Sequence, residues 1–168
     1  VAVGDEIADQ MISKLSNEIG TLKYGPYSDK NNDFGPVITA QHKAKVEGYI
    51  SSAEQQGAKI VVDGRNAAPV GYENGFYVGA TLIDQVQPNM TSYKEEIFGP
   101  VLQVIRVKTM QEAMNLIDDH EYGNGTCIYT RDGEAARYFS DHIKVGMVGI
   151  NIPLPVPVAY HSFGGWKR

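Results

Sequence analysis

A chain of 168 residues with 42% hydrophobic and 10% aromatic residues is long enough for one domain with a buried core and too apolar for a disordered segment. Its 15 lysines and arginines against 20 aspartates and glutamates give a net charge of -5, which argues against a nucleic-acid surface, and it has no apolar run of about 18 residues that could cross a membrane. The single cysteine, Cys127, excludes an internal disulfide. With no signal-peptide pattern at the N-terminus, it predicts the cytoplasm, or the mitochondrial matrix in a eukaryote.

Two amphipathic helices are predicted in the first third of the chain. Apolar residues recur at steps of four over residues 4–19, and Gly20 ends this helix. The second helix begins after an N-cap at Thr39, runs to about Gln56 and is capped by Gly57. Its apolar stripe is predicted to consist of Val46, Ile50 and Ala53.

Extended segments separated by turns are predicted in the middle of the chain. A β-rich run predicts a strand at 59–62, and an Asn-Gly turn precedes an aromatic strand at 76–78. A further extended segment at 81–83 ends at Pro88. The apolar run at 101–107 predicts another strand.

The last third of the chain alternates helices with strands. Thr109 and Glu112 form a capping box for the third helix, and Asp132 caps a fourth helix between strands at 126–130 and 147–152. Together with the strand that precedes the capping box, this is a βαβαβ order. It predicts an α/β fold with an open, mainly parallel twisted sheet and flanking helices, in which function gathers at the carboxyl ends of the strands.

The motifs of several kinds of chemistry are missing. The four histidines have no ligand spacing, which predicts no metal site. Gly123–Gly125 precedes a strand rather than a helix, so it does not match a phosphate-binding loop. Cys127 lies on a predicted buried strand and is interpreted as a packing residue, which leaves the chain with no catalytic residue of its own.

The segment Glu95–Pro100 is the strongest candidate for a binding site. Glu95 and Glu96 are adjacent, so on an extended backbone they face opposite ways and do not serve one site together. A carboxylate on a turn beside a strand can accept hydrogen bonds from vicinal hydroxyls such as those of a ribose, and Phe98 can contact a flat ring. The apolar, turn-forming sequence after the two glutamates argues against a casual surface loop.

The same segment resembles a signature of the aldehyde dehydrogenases, and other motifs of that family occur along nearly all of the chain. The similar segments are D-F-G-P-V-I at 33–38, N-G-F-Y at 74–77, E-E-I-F-G-P-V at 95–101, Y-G-N-G-T-C-I-Y-T-R-D at 122–132, V-G-I-N at 148–151 and F-G-G-W-K at 163–167. Each motif alone is weak, but together they are specific. The run I-P-L-P-V-P-V-A-Y at 152–160 resembles the methylmalonate-semialdehyde dehydrogenase branch of the family.

The resemblance implies a cofactor, a substrate and roles for a few residues. The cofactor is NAD, the substrate is a small aldehyde, with methylmalonate or malonate semialdehyde favoured, and coenzyme A or water accepts the acyl group from a cysteine thioester. Glu96 is expected to bind the nicotinamide-ribose hydroxyls, Phe98 to contact the nicotinamide, and Phe163 to lie near the acyl pocket. Asn151 is expected to hold a catalytic loop by hydrogen bonds or to serve the structure alone.

The resemblance also implies what this chain does not contain. The 168 residues are expected to be most of a single catalytic domain, with the nucleophilic cysteine and the Rossmann domain upstream of Val1 and the oligomerisation strand after Arg168. The parent enzyme is expected to be a homotetramer or homodimer, and the isolated chain is expected to be inactive. Two alternatives stay open: a non-catalytic interaction or scaffold module derived from the family, and another semialdehyde-oxidising or acyl-transferring member.

Overall fold

Helices and short strands follow one another along the chain, of which the computed structural model describes residues 1–153, 160 and 165–167. The helices are α1 Asp5–Ile19, α2 Ala40–Gln55, α3 Thr91–Lys94, α4 Met110–Asp119 and α5 Gly133–His142. The strands are β1 Ala2–Gly4, β2 Lys59–Val62, β3 Thr81–Asp84, β4 Val101–Gln103, β5 Ile105–Val107, β6 Gly125–Ile128 and β7 Met147–Ile150. Parallel strand pairs with helices between them confirm the predicted α/β class.

Side-chain caps start three of these helices at the predicted residues. Thr39 Oγ1 accepts a hydrogen bond from the amide of His42 at 3.0 Å at the start of α2, and Thr109 Oγ1 accepts one from the amide of Glu112 at 3.1 Å at the start of α4. Asp132 caps α5 by accepting from two amides of its first turn. Such bonds satisfy backbone donors that have no partner within the helix, so they fix where each helix begins.

The chain folds into two compact units, residues 1–108 and residues 109–168. In the first unit, β3 pairs antiparallel with β2 and parallel with β4, and β1 pairs parallel with β5. The prediction that all 168 residues form one domain stays a prediction.

The core of the first unit is formed by α1, α2 and the strands that they cover. Ala8 of α1 packs with Val3, Leu82 and Val104, all at most 4% exposed. The predicted stripe of α2 is fully buried, as its three members have no exposed surface: Val46, Ile50 and Ala53. Spacing of four and three residues therefore identified the inward face of this helix correctly.

The second unit is a βαβ arrangement preceded by a helix. β6 pairs with β7 in parallel, with Thr126 opposite Val148 and Cys127 opposite Gly149, and α5 connects the two strands. Met114 of α4 and Phe139 of α5 form its core with two residues that follow α5, Ile143 and Val145.

Two strand predictions differ from the structure. Residues 76–78 form no strand, although Tyr77 and Val78 are buried; the chain there packs as a loop whose Phe76 carbonyl accepts a bond from the amide of Val37 at 3.0 Å. The predicted strand at 101–107 is divided at Val104, because its first half pairs with β3 and its second half with β1. Burial and aromatic content alone do not show which ladder a segment joins.

Two further predictions concern the burial of Cys127 and the absence of a membrane span. Cys127 lies on β6 as predicted, but the prediction that it is buried is wrong: it is half-buried, like the other three residues of this strand. Among the residues that the structure describes, no helix is long and apolar enough to cross a membrane.

Candidate functional site

The segment Glu95–Pro100 joins α3 to β4 and presents three of its side chains to solvent. Its start is set by the amide of Glu95, which donates to the carbonyl of Thr91 at 3.0 Å and closes α3. Ile97 is buried, at 9% exposure, and anchors the segment, whereas Glu95, Glu96 and Phe98 are exposed. Both carboxylates are therefore accessible to a ligand, and their burial does not indicate which of the two binds it.

Phe98 combines an exposed ring with a strained backbone. Its side chain is 74% exposed, and its φ angle of 51° lies in the left-handed region, which a residue with a Cβ atom adopts at a cost of roughly 1–2 kcal/mol. Strain of this kind persists only where the surroundings hold the backbone, and it is concentrated at functional sites. An apolar ring that is held outward at such a cost marks this segment as a candidate binding surface.

Hydrogen bonds hold three successive carbonyls of this segment. The Phe98 carbonyl lies 2.7 Å from His42 Nε2, the Gly99 carbonyl accepts from the amide of Val101 at 2.7 Å, and the Pro100 carbonyl accepts from the amide of Thr81 at 2.9 Å. These bonds connect the segment to α2, to the start of β4 and to β3. The left-handed residue and the two residues after it are thus held by hydrogen bonds.

Gly99 allows the segment to lie directly on α2. A methyl group at this position would lie 2.8 Å and 2.9 Å from the two γ carbons of Val46, which is fully buried and has a stiff branched side chain. Any larger residue would push the backbone away from the helix. The glycine after Phe98 is therefore needed for close packing.

A second ordered group lies at the carboxyl ends of β6 and β7 in the second unit. Asn151 has a φ angle of 57°, and its side-chain amide pairs with both backbone groups of Thr130: Oδ1 accepts from the Thr130 amide and Nδ2 donates to the Thr130 carbonyl, each at 2.9 Å. The amide of Asn151 also donates to the carbonyl of Ile128 at 2.8 Å. This geometry joins the ends of two neighbouring strands, as expected for a residue that holds a loop.

The predicted site residues do not all fall within the described part of the chain. Glu96 and Phe98 lie on the same exposed segment, as predicted, whereas Phe163 lies outside the described residues. Within the described ranges, no group of three or more histidine, cysteine, aspartate or glutamate side chains is arranged to hold a metal ion.

Sequence reasoning missed His42, which contacts the segment from 56 positions away along the chain. One signal could have found it: His42 lies four residues before Val46 and eight before Ile50, so it continues the apolar stripe of α2 by one turn. A polar residue at the end of a buried stripe is in position to contact whatever that stripe covers.

Comparisons with known proteins connect this geometry to one family. The model of the aldehyde dehydrogenase family matches residues 1–168. Malonate-semialdehyde dehydrogenase from Pseudomonas aeruginosa is 63% identical over the whole chain, which covers 34% of that protein. The crystal structure of methylmalonate-semialdehyde dehydrogenase from Oceanimonas doudoroffii has a TM-score of 0.94 and 73% identity, covering 98% of this chain and 34% of that one.

A similar crystal structure contains the expected cofactor. This protein from Sinorhizobium meliloti, described as a methylmalonate-semialdehyde dehydrogenase and complexed with NAD, has a TM-score of 0.94 and 53% identity, again covering 98% of this chain and 34% of its own. The chain thus spans about a third of the length of the relatives that it matches.

Proposed function

We infer, from the premise that this chain belongs to the aldehyde dehydrogenase family, that it forms the part of an NAD-dependent aldehyde dehydrogenase that faces the nicotinamide end of the cofactor. The observation that carries this proposal is the exposed ring of Phe98, whose backbone is strained and is held by hydrogen bonds. A scaffold has no physical need to hold an apolar ring in solvent at that cost. The NAD complex of the Sinorhizobium meliloti relative supports the choice of cofactor.

The residues of the segment fit the nicotinamide riboside half of NAD. A ribose offers two vicinal hydroxyls as donors, and the exposed carboxylate of Glu96 is an acceptor for both. The ring of Phe98, two residues on, offers an apolar face to the nicotinamide. When bound, NAD supplies the hydride acceptor of the oxidation, and the task of these two side chains is to bind and orient it.

The proposed substrate of the whole enzyme is malonate or methylmalonate semialdehyde. The names of the Pseudomonas aeruginosa and Oceanimonas doudoroffii relatives support this choice. We propose a cysteine thioester as the acyl intermediate, with coenzyme A or water as its acceptor, in a homodimeric or homotetrameric enzyme. No residue of this chain is assigned to the bond-making step.

The test of the cofactor site is Glu96→Gln in the full-length enzyme, measured as the dissociation constant for NAD and the hydride-transfer rate. Removing one charge-assisted hydrogen-bond acceptor is expected to weaken NAD binding about ten- to a hundredfold. Glu95→Gln is the matched control, since it removes a second exposed carboxylate one residue away and is expected to leave both quantities unchanged. Unchanged affinity in Glu96→Gln, or an equal loss in both variants, would overturn the assignment.

Cys127 is not expected to perform the covalent step. It lies in the middle of a strand ladder, opposite Gly149, whereas the thiolate of a reactive cysteine is stabilised at a helix N-terminus or beside a cationic group or a metal. The isolated chain mixed with propanal, NAD and coenzyme A should therefore give no increase in NADH absorbance. Cys127→Ser in the full-length enzyme should keep its turnover rate; NADH formation by the chain alone, or loss of turnover in that variant, would contradict this prediction.

A further inference from the structure

The left-handed backbone of Phe98 is joined to α2 by a single long-range side-chain bond. His42 Nε2 lies 2.7 Å from the Phe98 carbonyl oxygen. A carbonyl oxygen only accepts hydrogen bonds, so Nε2 must carry the proton. Any form of the ring that has hydrogen on Nε2 can donate this bond.

His42 itself is fixed by the first turn of α2. Its amide donates to the capping hydroxyl of Thr39 at 3.0 Å, which holds the backbone from which the imidazole extends. One turn later on the same face, Val46 is fully buried and packs against Gly99. The helix therefore contacts two adjacent residues of the segment, Phe98 by a hydrogen bond and Gly99 by close packing.

Without this bond the backbone at Phe98 could relax. The remaining contacts of the segment act on its two ends: Ile97 is buried on one side, and the Gly99 and Pro100 carbonyls are bonded on the other. Rotation about the N–Cα bond of Phe98, which moves its carbonyl as well, would relieve the left-handed strain and redirect the ring. A ligand that needs the strained form would then bind more weakly, because it must restore that form on binding.

We propose that His42 is a positioning residue for the cofactor site: its imidazole N–H holds the Phe98 carbonyl and so keeps Phe98 and Glu96 in the arrangement that receives the nicotinamide riboside. This inference rests on the proposed function of the segment. His42 touches neither the cofactor nor the reacting atoms in this scheme. It acts through the backbone of Phe98.

The test compares His42→Ala with His42→Gln in the full-length enzyme, since the glutamine amide can still donate to a carbonyl. The first readout needs no cofactor: hydrogen exchange of the Thr81 and Val101 amides, whose acceptors are the carbonyls of the two residues after Phe98. The second is the dissociation constant for NAD. We expect His42→Ala to speed exchange at both amides and to weaken NAD binding about tenfold, and His42→Gln to restore most of both.

Gln41→Ala is the matched control, because it changes the neighbouring exposed residue of the same helical turn and should alter neither readout. If His42→Ala yields no folded protein, the same comparison is made with His42→Leu, which has no donor but fills a similar volume. Unchanged exchange and affinity in the variant without a donor would overturn the proposal. A loss that His42→Gln does not restore would do so as well, since it would indicate a merely structural role.

The two proposals fail in different ways. If Glu96→Gln leaves NAD affinity unchanged, the cofactor site itself is refuted, whatever exchange shows. If Glu96→Gln weakens NAD binding and His42→Ala does not, the cofactor site stands and the positioning role of His42 is refuted.

Discussion

Replacing Gly64 with alanine is expected to lower the free energy of unfolding of the chain by about 3 kcal/mol or more. The added methyl group would overlap the carbonyl group of Gly79 and would lie 2.7 Å from Thr81 Oγ1. Gly64 and Gly79 are both buried, and the Gly79 amide donates to the Gly64 carbonyl at 2.8 Å, so neither backbone segment can withdraw without breaking a bond. The midpoint of urea unfolding measures the effect.

Gly48→Ala is the control for this prediction. Gly48 lies on the exposed face of α2, and a methyl group there meets no atom within 4 Å, so alanine should stabilise the helix by up to about 1 kcal/mol. Opposite shifts of the two urea midpoints are expected. A Gly64→Ala midpoint equal to that of the unchanged chain would show that the loop between β2 and β3 yields more easily than its packing indicates.

Replacing Asp84 with asparagine is expected to lower the free energy of unfolding by about 3 kcal/mol, the lower end of the range for breaking a buried ion pair. The Asp84 side chain is 1% exposed, and its Oδ2 lies 2.7 Å from Arg106 Nη2. Arg106 on β5 thereby connects the sheet of β2, β3 and β4 to the sheet of β1 and β5. Its remaining partner, Asp9 on α1, also lies 2.7 Å away and keeps the guanidinium from being left without a carboxylate.

The control is Asp9→Asn. Its carboxylate binds the same guanidinium nitrogen but is 90% exposed, and such pairs contribute at most about 1 kcal/mol because water screens them. Denaturant unfolding of the two variants should therefore differ by about 2 kcal/mol. Equal losses would indicate that burial of the Asp84 pair has no energetic weight.

Acid should weaken the contribution of Asp84. Burial alone would raise the pKa of this carboxyl, but the hydrogen bonds from Arg106 and from the Gln85 amide, with the Arg106 charge, outweigh burial and lower the pKa. A carboxyl whose folded pKa is lowered stabilises the fold above its unfolded pKa of about 3.9 and loses that effect as the pH falls below it. Asp84→Asn should reduce this loss of stability below about pH 4, although the lowered pKa of Asp63, which accepts a hydrogen bond from Arg65, leaves part of it.

The sequence predicted the features that depend on neighbouring residues. The starting points of three helices, at Thr39, Thr109 and Asp132, follow from side chains that bond amides two or three positions on. The buried stripe of α2 follows from its spacing of four and three residues. Contacts over such short distances along the chain are encoded where they occur.

Features that depend on distant partners could not be predicted in the same way. Residues 101–107 are divided because the first part pairs with β3 and the second part with β1. The residues of this segment do not indicate which strand either part will pair with. The helix α3 was missed because its four residues, Thr-Ser-Tyr-Lys, are too few to show a period. The half-buried state of Cys127 depends on how β6 is covered, which is again a long-range property.

The candidate site was predicted in chemical type but not in geometry. The residue types of Glu96 and Phe98, next to a Gly-Pro turn, indicated a surface for hydroxyls and a flat ring. The left-handed backbone of Phe98 could not be expected, because phenylalanine disfavours it. The bond from His42, the bonded carbonyls of Gly99 and Pro100, and the contact of Gly99 with Val46 explain how that backbone is held.

The left-handed φ angle of Phe98 has a consequence for efforts to engineer this protein. Glycine adopts that angle without penalty, so a library selected only for thermal resistance or soluble yield should enrich glycine at position 98. The enriched variants would be stable and well expressed, but they would lack the aromatic ring that we place against the cofactor. Position 98 should therefore be kept fixed in such a library, or turnover should be selected together with stability.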